Sequence, residues 1–117
     1  MKKKILIADN LIQPFEKVYK LKFNVDCLWK IKNQSNSFEH EAVIVTGGFK
    51  TNKYFLKKFK NLKIVSVFGV GYDGVDINYC KKNSIQVTNT PNILTNDVSD
   101  LAIGLLISLS RRIVDNH

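Results

Sequence analysis

Residues 63–74 read KIVSVFGVGYDG, a nearly unbroken apolar run that ends in three glycines, Gly69, Gly71 and Gly74. An apolar run without polar alternation describes a strand covered on both faces, as in a parallel sheet flanked by helices. The glycines follow at the spacing G-x-G-x-x-G. Read literally, that is a loop cradling the pyrophosphate of a dinucleotide at a helix N-terminus.

The neighbouring sequence argues against the literal reading. A dinucleotide loop leads into a long crossover helix, and an acidic residue closes the next strand about 20 residues on. Here only Asp76–Asn83 intervene before the strand expected at Ile85–Thr88. That length allows about two helical turns. The strand then runs into Asn89, Thr90 and Pro91, while Asp97 belongs to the start of a later helix. Glycines at the carboxyl end of a central strand can instead bring backbone N–H groups close to a small anion, with no Cβ in the way. A plain turn in which glycine supplies a positive φ explains the same residues. On the residues alone both readings stand.

Working outward, Lys4–Ala8, Phe23–Leu28 and Ala42–Thr46 read as earlier strands and Lys63–Phe68 as the fourth. Pro14–Leu21, Asn52–Phe59 and Ile77–Lys82 carry helical spacing, and a last helix is expected from Thr95–Asp97 to about Val114. Strand and helix alternate throughout, which predicts an open, mostly parallel α/β sheet in one domain.

Composition narrows the function classes. The net charge is +8, but the lysines are scattered and the only arginines are Arg111 and Arg112. A nucleic-acid face usually gathers arginines and aromatic residues on one surface, so no nucleic-acid partner is expected. Cys27 and Cys80 stand alone and the histidines are His40 and His117, too few for a metal site. Lone cysteines suit a reducing cytoplasm, and the apolar stretches are too short for a signal peptide or a membrane span. His40, between Glu39 and Glu41, reads as a surface residue.

Three ordered motifs then carry a resemblance: GVGYDGVD at Gly69–Asp76, VTNTP at Val87–Pro91 and LTNDVSDLAIGLL at Leu94–Leu106. Together Lys63–Arg112 strongly resembles the D-isomer-specific 2-hydroxyacid dehydrogenases, nearest their hydroxypyruvate/glyoxylate reductase branch. VTGGFK at 45–50 is similar to a family loop that lines the substrate pocket. The resemblance implies a two-domain oxidoreductase that reduces 2-keto acids such as glyoxylate or hydroxypyruvate with NADH or NADPH.

This chain matches the first of the two domains, which the resemblance makes a flavodoxin-like, five-stranded open parallel sheet over residues 1–94. Residues 95–117 would form an interdomain helix leading to a Rossmann domain that these residues do not include. The family's catalytic arginine, glutamate and histidine fall in that later region, so no catalytic residue is assigned here. The chain alone is expected to be inactive.

By the same resemblance, Val70 and Gly71 offer backbone N–H groups to the substrate carboxylate, and Gly69 belongs to their loop. Phe68 and Gly48 lie near the substrate's tail, and Thr95 faces the NAD or NADP cofactor, which the other domain mainly holds. The helix at Leu101–Leu109 is apolar around nearly its whole circumference, which predicts a second domain against it or association into a homo-oligomer. A different class of function, a non-enzymatic module binding carboxylates or a protein, fits the same fold. A flavin mononucleotide site fits less well, because Asp9–Leu11 lacks a hydroxyl- and glycine-rich phosphate cradle.

Overall fold

The structure, a computed structural model, describes residues 2–31 and 37–90. Its elements are β1 (Lys4–Ile7), a 3-10 turn (Asn10–Phe15), α1 (Glu16–Lys20), β2 (Asn24–Cys27) and a second 3-10 turn (Leu28–Lys30). There follow β3 (Ala42–Val45), α2 (Lys53–Leu56), β4 (Ile64–Val67), α3 (Ile77–Lys82) and β5 (Gln86–Thr88). The strands form one parallel sheet in the order β2-β1-β3-β4-β5. This is the flavodoxin-like order, and it agrees with the expectation from the sequence. The expected helix at 95–117, with Thr95 and Leu101–Leu109, lies outside the described residues.

Alternation along the central strands divides the core. Ile5, Ile7, Ala42, Ile44 and Ile64 face one side, where Ile12, Tyr19, Phe23 and Cys27 close over them. Leu6, Val43, Val45, Val65 and Val67 face the other, against Leu56, Phe59, Val75 and Cys80. Because neither face meets water, β3 reads as a continuous apolar run and β4 as one broken only by the buried Ser66. Each Val, Leu or Ile side chain so buried contributes about 1.5–3 kcal/mol of transfer free energy.

Two helices are shorter than their spacing suggests. Pro14 sits inside the 3-10 turn and α1 begins at Glu16, not at Pro14. α2 is capped by Asn52, whose side-chain oxygen accepts the Phe55 N–H at 3.0 Å. It ends after one turn, because Phe59 leaves the helix to bridge to Phe38. Tertiary pairing outweighs helical spacing there.

His40 corrects a second expectation. It is 6% exposed, with Nε2 2.7 Å from Asp26 Oδ2 and its ring edge-on to Phe38. The flanking Glu39 and Glu41 suggested a surface position. The partner on β2 lies 14 residues earlier and is invisible to local reading.

Candidate functional site

All five strands run parallel, so their carboxyl ends share one edge, and the strand order reverses between β1 and β3. Open α/β sheets bind ligands at such an edge. Here Asp9, Thr46–Phe49, Phe68–Gly74 and Asn89–Thr90 follow the ends of β1, β3, β4 and β5.

At the reversal point the Asp9 carboxylate accepts a hydrogen bond from the Thr46 hydroxyl and a second from the Leu11 N–H at 3.0 Å. A phosphate placed there would face a fixed carboxylate in place of a cradle of donors, which disfavours a flavin phosphate on electrostatic grounds.

The glycine loop after β4 is interlocked with the loop after β3. The Gly74 N–H donates to the Gly47 carbonyl at 3.0 Å, and the Thr51 N–H donates to the Gly74 carbonyl at 2.8 Å. A Cβ on Gly47 would lie 2.3 Å from the Gly71 carbonyl oxygen, and one on Gly74 would lie 2.2 Å from that of Phe49. The third glycine of the fingerprint therefore serves loop-on-loop packing. In a dinucleotide loop it would serve helix-on-strand packing. Moreover, the N-terminus of α3 is already capped by Asp76, whose Oδ1 accepts the Tyr79 N–H at 3.0 Å. A pyrophosphate would meet that carboxylate, so these residues do not fit a dinucleotide.

Gly69 turns the chain at φ +147, a conformation other residues adopt only with strain. Its N–H donates to the Val67 carbonyl at 3.0 Å and to Thr90 Oγ1 at 3.2 Å. Its carbonyl accepts from the Thr90 N–H at 2.8 Å and from the Thr90 hydroxyl at 3.1 Å. The Val70 carbonyl accepts from Asn89 Nδ2 at 2.8 Å. Among the described residues, the Val70 and Gly71 N–H groups have no hydrogen-bond acceptor. Val70 is 58% exposed, and Gly71 is exposed too.

The structure thus places Gly69, Val70 and Gly71 on one loop, and Gly48 on the interlocked neighbour with open space around its Cα. The Phe68 ring packs 4.9 Å from that of Phe15 on the first face of the sheet. Thr95 lies outside the described residues. Three residues that hold this edge together, Gly47, Asn89 and Thr90, were given no role from the sequence, and Gly74 was noted only as part of the fingerprint. Asn89 and Thr90 sit inside the VTNTP motif, which was the available signal.

The groups with strongly shifted titration belong elsewhere, to α1 and β2. Lys20 and Lys30 hold the Glu16 carboxyl down at about 2. Burial pushes the Cys27 thiol up to about 11, and burial also raises Cys80. Among the described residues no group of His, Cys, Asp or Glu side chains could hold a metal ion, and no helix is long and apolar enough to cross a membrane.

Fold and edge together define an α/β domain whose exposed backbone donors after the fourth strand have no acceptor among the described residues. Comparison with known proteins gives that class a family. Residues 5–114 match the D-isomer specific 2-hydroxyacid dehydrogenase, catalytic domain, and the chain belongs to that family. It is 38% identical over 99 residues to glyoxylate/hydroxypyruvate reductase A of Arabidopsis thaliana, covering 80% of this chain and 32% of that protein. It is 35% identical over 126 residues to glyoxylate reductase of Thermococcus litoralis, covering 98% of this chain and 37% of that one. The solved 2-hydroxyacid dehydrogenase of Ketogulonicigenium vulgare superposes with a TM-score of 0.71 at 30% identity, over 99% of this chain and 38% of that one. The chain spans about a third of the length of the curated relatives it matches.

Proposed function

We propose that this chain is the substrate-binding part of an NAD(P)-dependent oxidoreductase acting on the CH–OH group of small 2-hydroxy acids. In the reverse direction it would reduce 2-keto acids such as glyoxylate or hydroxypyruvate. The carrying observation is the pair of successive, exposed N–H groups at Val70 and Gly71 that lack acceptors among the described residues. A carboxylate accepts two such donors well, and charge-assisted bonds are about twice as strong as neutral ones. The named activities of the Arabidopsis and Thermococcus relatives favour a 2-keto acid as the owner of that carboxylate.

In this reading residues 1–94 bind substrate and 95–117 form the interdomain helix, with Thr95 facing the cofactor. Val70 and Gly71 bind the carboxylate end, Gly69 sets their turn, and Phe68 and Gly48 flank the tail. The nicotinamide group, when bound, would accept the hydride in the oxidation and supply it in the reduction. Since the fingerprint loop does not fit a dinucleotide, the nucleotide is held elsewhere than in that loop. The 117 residues by themselves transfer no hydride.

Two measurements test this. In the 15N-labelled chain, glyoxylate should shift the amide resonances of Val70 and Gly71, and an unperturbed loop at saturating acid would refute the site. With glyoxylate and NADH the chain alone should leave NADH absorbance constant. Turnover would refute the assignment of the chemistry to other residues.

A further inference from the structure

An exposed loop with a glycine at position 71 could present either face of its peptide groups. A peptide whose N–H bonds a carboxylate in one orientation presents its carbonyl oxygen, and repulsion, in the other. The hydrogen bonds behind the loop decide which face is outward.

Every peptide bond in the described chain is trans, so each carbonyl points opposite to the N–H of the following residue. The Gly69 carbonyl is drawn to the Thr90 N–H at 2.8 Å and to the Thr90 hydroxyl at 3.1 Å. The Val70 N–H, on the same peptide, therefore points away from Thr90. The Val70 carbonyl is drawn to Asn89 Nδ2 at 2.8 Å. By the same geometry the Gly71 N–H points away from Asn89. Both carbonyls turn toward one segment, the residues that leave β5, and both donors turn toward the opposite side.

The two anchors differ in strength. Thr90 is 1% exposed and holds the Gly69–Val70 peptide through two hydrogen bonds to the Gly69 carbonyl, while its hydroxyl oxygen also accepts from the Gly69 N–H of the preceding peptide. Among the described residues, the Val70–Gly71 peptide is held by a single, solvent-exposed bond from Asn89. Gly71 has no Cβ, so rotation of that peptide meets little steric resistance without Asn89. Asn89 also lines the groove formed by Tyr72, Ile77, Cys80, Lys81, Ile85 and Val87.

We infer that Asn89 and Thr90 are positioning residues, which keep the N–H faces of the Gly69–Val70 and Val70–Gly71 peptides turned toward a bound carboxylate. Neither touches the ligand. The inference rests on the carboxylate site proposed above and adds what gives that site its sign.

The test uses the 15N-labelled chain, glyoxylate as probe, and Asn89→Ala. The Asn89 bond is exposed, so the variant should keep the core and melt within a few degrees of the parent. Its affinity for glyoxylate should fall roughly tenfold, the scale of losing one hydrogen bond together with one donor. The loss should be uneven: the Gly71 amide stops responding, while Val70, held by Thr90, still shifts. Asn89→Gln, which keeps the amide donor, should recover part of the affinity. A purely structural role would weaken both amides alike and track melting temperature. If Asn89→Ala binds glyoxylate as the parent does, with both amides shifting, the clamp is overturned while the site stands. If the parent chain itself shows no response, the site reading fails and the clamp with it.

Discussion

Replacing Gly47 by alanine tests the interlock of the two loops. The new Cβ would stand 2.3 Å from the Gly71 carbonyl oxygen and 3.1 Å from its carbon. Ordinary carbon–oxygen contacts begin at about 3.3 Å, so the loops must part by about 1 Å. Both walls are backbone, and no side chain can rotate aside. Overpacking of this kind costs about 1–3 kcal/mol, and the rigid walls put Gly47→Ala near the upper end. At about 4 °C per kcal/mol for a chain of this size, the melting temperature should fall by roughly 12 °C. Gly48→Ala is the internal control, since a Cβ there meets nothing within 4 Å. It should melt within a degree or two of the parent. Thermal unfolding followed by circular dichroism measures both. Equal melting temperatures for Gly47→Ala and the parent would refute the close approach of the two loops, and with it the mechanical support of Val70 and Gly71.

Three further outcomes follow from other parts of the molecule. Glu16 titrates near 2 in the fold against about 4.5 when free, so its ion pairs with Lys20 and Lys30 stabilise fully above pH 4.5. That contribution is lost as pH falls from 4.5 through 2, and Glu16→Gln should flatten this part of a pH–stability curve; an unchanged acid limb would contradict the pairing. Asp76→Ala removes the cap of α3 and should lower stability by about 1 kcal/mol in urea unfolding, whereas Asp76→Asn should retain most of it. Cys27 and Cys80 are buried with raised thiol titration, so iodoacetamide at pH 8 should label neither until denaturant is added. Rapid labelling of the native chain would contradict their burial.

The fold was legible where burial writes directly into sequence. AVIV in β3 and IVSV in β4 read as covered strands and are, and Ile77–Lys82 matched its helix to the residue. Legibility failed where a distant partner decides. Asp26 draws His40 inward, Phe38 ends α2 early by pairing with Phe59, and Pro14 lies in a 3-10 turn before α1. The candidate site divides in the same way. The exposure of Val70 and Gly71 follows from glycines placed just after a strand, which the sequence shows. The reasons for Gly47 and Gly74 became visible only when the two loops were seen in contact. Asn89 and Thr90 looked like the tail of a strand, although their hydrogen bonds reach back 19 and 21 residues to the loop.

The anchoring of the β4 loop also fixes how its amides trade protons with water. The Gly69 N–H is held by Val67 and Thr90, and the Gly74 N–H by Gly47. Between them, Val70, Gly71, Tyr72 and Asp73 have no acceptor among the described residues. A short window of fast deuterium uptake should therefore sit between two slow posts, at the end of a strand that exchanges only when the sheet opens. Slowing within that window on adding a ligand would then report occupancy of the loop directly. Stabilisation of the whole fold would instead slow β4 itself, which distinguishes local capture from global tightening.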